Sequence, residues 1–153
     1  MNPIKTPGVS VGTARENLFV QDAPVCGIRR IIGILLGANV NQTTTDIAVP
    51  LILLPGANFV VTNVMLNNAS TSLTTATASV YTATAAGGTN LAADQALSGL
   101  TAATSNLNLT LAAGAATNVL NQTTQANVLY FRVGTAQGAA ATVDVYIWAD
   151  VLP

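Results

Sequence analysis

The segment from Thr142 to Val151 alternates without a break. Val143, Val145, Ile147, Ala149 and Val151 fall on one side; Asp144, Tyr146, Trp148 and Asp150 fall on the other. A period of two places one face of a strand in a core and the other toward solvent or a partner. A slip of one residue would turn the whole Val/Ile set outward, so the register of such a strand is strongly specified. A strand of this kind needs a second layer to cover its apolar face.

Other segments read the same way. Ile28 to Leu36 is rich in β-branched and apolar residues and is closed by Gly37-Ala38-Asn39. Gly33 argues against a helix there, so a strand is expected. Asp46 to Leu54 predicts a second strand, with Pro50 implying an edge position or a bulge. Pro55-Gly56-Ala57-Asn58 predicts a tight turn, and Phe59 to Leu66 a strand. Thr75 to Thr84, Asn106 to Leu111 and Asn127 to Val133 add three more. Leu91 to Leu100 has helical composition weakened by Ser98 and Gly99, and predicts a long connection with one helical turn. Gly134 to Ala141 predicts a small-residue hairpin loop. The expected fold class is all-β: an antiparallel β-sandwich, Ig-like or jelly-roll-like.

The chain has 153 residues, enough for one domain. Charged residues make up only 7% of it, and none occurs from Ile47 to Ala93. Mean hydropathy is +0.51. The most apolar window, Ile47 to Leu66, holds Pro50, Pro55, Gly56, Asn58 and Asn63, which would break a helix in lipid, so no membrane partner is expected. Met1 to Ala23 lacks the apolar core of a signal peptide, so synthesis in the cytoplasm without secretory export is expected. Charges normally discourage association. Their scarcity, with a net charge of −1, predicts a surface largely covered by neighbours.

The same composition excludes several chemistries. There is no His, so no Ser-His-Asp or Cys-His device can be built within the chain. A single Cys26, read as a small buried residue, excludes a thiolate zinc site and an internal disulfide. Five basic residues supply no field for a nucleic-acid backbone. Asp144 and Asp150, six residues apart on one strand face, lie roughly 20 Å from each other at 3.3 Å per residue, too far for paired acid/base work. No calcium-loop or phosphate-loop pattern occurs. No cofactor, metal or catalytic residue is expected, and an enzyme is the least favoured reading.

The division expected is an extended N-terminal arm, 1–24, followed by a sandwich domain, 25–153. Pro3, Pro7, Gly8, Gly12 and Pro24 punctuate the arm, and strand-like character is confined to Asn17–Val20. Two readings of such a segment stand side by side: a disordered tail, or an arm that gains order by lying on a neighbouring subunit. The residues expected at an interface are Arg15, Arg29, Arg30, Tyr146 and Trp148. Arg29 and Arg30 point to opposite faces of a strand, so at most one reaches a given partner. Aromatic rings are frequent anchors of interfaces, and a core role for Tyr146 and Trp148 is the alternative.

The stretches Ala78-Ser-Val-Tyr-Thr-Ala-Thr-Ala-Ala-Gly-Gly-Thr-Asn90, Ala96-Leu-Ser-Gly-Leu-Thr-Ala102 and Leu129 to Ile147 resemble small virion structural proteins of tailed bacteriophages. The likeness spans about Thr77 to Leu152 and is to capsid decoration, or cement, proteins with a jelly-roll-like sandwich. It implies a protein of the capsid surface that bridges major capsid subunits, often as a homotrimer. It carries over no active-site residue. The competing expectation is a receptor- or carbohydrate-binding head of a fibre or adhesin, using the Asp144, Tyr146, Trp148, Asp150 stripe.

Overall fold

The computed structural model describes residues 28–43 and 45–152. Arg15, Cys26 and the arm expected over 1–24 lie outside these residues. Among the described residues nine strands are formed: β1 (Ile28–Asn39), β2 (Asp46–Pro50), β3 (Asn58–Asn67), β4 (Thr77–Tyr81), β5 (Asn90–Ala96), β6 (Asn106–Leu109), β7 (Leu120–Asn121), β8 (Val128–Thr135) and β9 (Thr142–Leu152). One 3-10 turn, Ala115–Thr117, precedes β7.

The first sheet runs β1-β9-β3-β6, with the short β7 also on β3; the second runs β2-β8-β4-β5. Every pairing is antiparallel. Four of these pairings are nested: β1 with β9, β2 with β8, β3 with β6, and β4 with β5. Nested pairs are those of one long hairpin. Rolling that hairpin brings β9 beside β3 and β8 beside β4, which gives the two sheets of a jelly roll. The fold is thus the expected all-β, jelly-roll-like sandwich.

The core lies between the sheets. Phe59 of β3 and Phe131 of β8 are its largest fully buried side chains. Val143, Val145, Ile147 and Ala149 of β9 face it, as their alternation requires. Both open sides of the sandwich are closed by local devices. On one side Gly33 bridges Leu51, and Ile52 N–H donates to the Ile32 carbonyl. A Cβ on Gly33 would stand 3.0 Å from Val49 Cγ1, which accounts for a glycine inside a strand. On the other side Ala92 bridges Leu111. There the Gln95 side chain accepts from Thr110 N–H at 2.9 Å and donates to Thr110 O at 3.1 Å, taking the place of a strand backbone. Closure of this kind hides edges that would otherwise template aggregation.

Several sequence expectations are corrected. Leu91 to Leu100 is not a connection with a helical turn: residues 90–96 form β5, paired with β4, because its alternation is masked by a register irregularity and by small alanines. The segment 134–141 is not a hairpin loop. β8 and β9 belong to different sheets, so it is a corner between layers. Gln137 fixes that corner: its Oε1 accepts from Thr75 N–H and Ala76 N–H, and its Nε2 donates to Ser72 O. β2 stops at Pro50, on the outer edge of its sheet, rather than running to Leu54.

Candidate functional site: the outer face of the first sheet

The two sheets differ in what they turn outward. The second sheet carries an ion pair on its outer side, Arg132 Nη1 to Asp46 Oδ1 at 2.9 Å, with side chains 19% and 13% exposed. Burial pushes the Asp46 carboxyl up, but the Ala85 N–H and Arg132 more than offset this and hold it below the usual carboxylate range. The outer side of the first sheet is different. Register places Ile34, Tyr146 and Met65 in one row across β1, β9 and β3. The next row is Ile31, Trp148 and Asn63. Leu36, 65% exposed, continues the apolar surface along β1.

Among the described residues, charge stands only at the two ends of this face. At one end Arg29 Nε lies 2.9 Å from Asp150 Oδ1, and Nη2 lies 3.2 Å from Oδ2, a bidentate cross-strand pair. The hydrogen bond to Asp150 raises Arg29 above its ordinary value, and the bond from Arg29 lowers Asp150. At the other end Asp144 accepts from Gly37 N–H at 2.7 Å and from Asn68 Nδ2 at 2.9 Å. Between these ends lie apolar, aromatic and amide side chains, with Asn63 Nδ2 donating to Asn108 Oδ1 at 3.1 Å.

Of the interface residues expected from sequence, Tyr146, Trp148 and Arg29 come together on this face. Arg29 is committed to Asp150 of its own chain. Arg30 points the other way and lies beside Leu51, Ile52, Leu53 and Leu54. Sequence reasoning missed Ile31, Ile34, Leu36 and Met65 as members of the face. The Ile34 and Leu36 spacing was a usable signal, but bulges between Ile31 and Gly33 and between Leu35 and Ala38 shift the phase of β1.

Other candidate chemistry is sparse. Among the described residues no group of three metal-ligating side chains occurs. A shallow depression beside Asn90, Gly114 and Thr117 is lined by uncharged residues. No helix of the described residues is long and apolar enough to cross a membrane. No protein-family model, curated protein or solved structure matches the chain. The geometry by itself defines a jelly-roll sandwich with an apolar, aromatic outer face, an ion pair at one end of it and a hydrogen-bonded carboxylate at the other.

Proposed function

We propose that the chain is a structural protein of a bacteriophage virion, of the capsid decoration (cement) type, bridging major capsid subunits and associating with copies of itself as a homotrimer. The observation that carries this reading is the row Ile34–Tyr146–Met65 beside Ile31–Trp148: a continuous apolar and aromatic surface on a rigid sheet. Its outline, three long strands and β6 at about 4.8 Å spacing and some 33 Å of length, is roughly 500–600 Å² before side-chain relief is added. That is of the order of the ~800 Å² each partner contributes to a standard interface. The mechanism is additive. Each copy covers apolar surface between neighbours, and repetition over a shell converts modest contacts into collective resistance to internal pressure.

The in-chain bonding of the carboxylates favours assembly over sugar binding. Asp150 accepts from Arg29, and Asp144 from Gly37 and Asn68, so half or so of the acceptor capacity of each carboxylate is already committed within the chain. Immunogold electron microscopy of virions from the parent lysate, with antibody to this domain, tests the reading. Label in a regular array over the capsid is the expected result. Label confined to fibre tips would support the receptor-binding alternative instead, and unlabelled virions would refute a virion role.

A further inference from the structure

The loop 82–89 joins β4 to β5, yet it reaches β2. Strand order puts β8 between β4 and β2, so the span is about 10 Å, two strand spacings. Ala85 N–H nevertheless donates to Asp46 Oδ2 at 2.7 Å. β4 ends at Tyr81, opposite Tyr130, whereas Asp46 lies opposite Arg132, further back along the sheet. The loop therefore folds back over the outer side of β8. Tyr130 and Arg132 point outward there, alternating with buried Leu129, Phe131 and Val133.

Little else holds the loop in place. None of residues 83–88 is buried. The neck has bonds of its own: Thr82 N–H donates to the Thr89 carbonyl at 3.0 Å, and Thr89 N–H to Thr82 Oγ1 at 2.7 Å. Inside the loop Gly87 N–H donates to Thr84 O at 3.0 Å. Among the described residues, the bond from Ala85 to Asp46 is the one hydrogen bond that ties 83–88 to another element. Asp46 is well placed to grip it, because its other oxygen accepts from Arg132 Nη1 at 2.9 Å and is fixed to β8. The gripped backbone is strained. Ala85 and Ala86 both have φ of 57°, in the left-handed region that disfavours alanine and suits glycine.

We propose that 82–89 is a strap over the outer face of the second sheet, latched by Asp46, which swings open about its neck while the sandwich stays folded and so uncovers Tyr130 and Arg132. Opening gives up one charge-assisted hydrogen bond and releases two left-handed alanines, so the two positions are closely balanced and the latch decides between them. Segments with few buried contacts open locally, well below the cost of global unfolding. The strap belongs to the second sheet and stands or falls without the capsid reading.

Tyrosine nitration by tetranitromethane, mapped by mass spectrometry, and amide exchange read by NMR at the same pH test this on the full chain. In Asp46→Ala, Tyr130 should nitrate about tenfold or more faster, and the Gly87 amide should exchange faster by a similar factor. Tyr146 on the first sheet and the amides of β9 should keep their rates. Asp46→Asn keeps an oxygen for Ala85 but loses the charge, and should fall between. Ala85→Gly with Ala86→Gly, alone and added to Asp46→Ala, should slow Gly87 exchange about threefold or more by relieving the closed form. Unchanged Tyr130 and Gly87 rates in Asp46→Ala, an equal rise at Tyr146 and β9 in both Asp46 variants, or glycines that speed Gly87 exchange would each overturn the proposal.

Discussion

Ile147 and Trp148 are neighbours on β9 whose side chains leave the sheet in opposite directions, so the same truncation has opposite consequences at the two sites. Ile147 is fully buried, opposite Gly33 of β1 and Val64 of β3. Ile147→Ala removes three carbons from a close-packed core and costs about 2–5 kcal/mol. For a chain of this size each kcal/mol lowers the melting midpoint by roughly 2–4 °C, so a cost near the middle of that range is a drop of about 7–14 °C. Ile147→Asp adds an unpaired buried carboxylate, roughly 4 kcal/mol more, and approaches the total stability of a typical domain. Trp148 lies on the outer side with Ile31 and Asn63 as its direct cross-strand neighbours, and such pairs are each worth about 0.2–1 kcal/mol. Trp148→Ala should therefore lower the midpoint of the isolated subunit by no more than about 8 °C. If the ring anchors a subunit contact, the same change should weaken association by ~2 kcal/mol or more. Calorimetry of both variants, beside sedimentation, reads these quantities. A Trp148→Ala subunit that unfolds, with Ile147→Asp tolerated, would show that the faces of β9 are assigned the wrong way round.

Gln137→Ala removes the acceptor for two backbone N–H groups and the donor to Ser72, and should cost about 2–3 kcal/mol in urea unfolding; a loss below ~0.5 kcal/mol would show that the corner does not depend on it. Gln95→Ala should speed exchange of the Thr110 amide while leaving β9 amides unchanged; uniform loss across the sheets would mean global unfolding instead. Asp46 is held below its ordinary range, so its contribution to stability is full above the unfolded value near pH 3.9 and is lost as pH falls through the lower folded value. The melting midpoint should accordingly fall in acid below about pH 4, less steeply in Asp46→Asn; an identical acid limb in that variant would refute the assignment.

What could be read in the chain and what could not follow from the range of the interactions. The faces of β9 depend only on local alternation, and they emerge intact. Pro50 announces an edge or a bulge, where a missing N–H is tolerated, and β2 is indeed an edge strand. β5 was hidden because its pairing rests on alanines and a polar run, Ala92 to Gln95, with no β-branched signature. The corner at 134–141 reads locally like a hairpin loop; that β8 and β9 part company is decided by which strands they meet elsewhere. Arg29–Asp150 and Arg132–Asp46 are separated by 121 and 86 residues, so the fate of each charge depends on the register of the whole sheet. The aromatic half of the outer face was legible from Tyr146 and Trp148. Its aliphatic half was not, because two bulges reset the phase of β1.

Sedimentation of the full chain at micromolar concentration, compared with Trp148→Ser and Ile34→Ser variants that remain folded at the temperature of the run, tests most directly whether the outer face of the first sheet is an assembly surface. The expected result is a species at three times the 15.5 kDa subunit mass for the unmodified chain, shifting toward the subunit in both variants. A 15.5 kDa species alone in all three samples, or an oligomer indifferent to both substitutions, would contradict it.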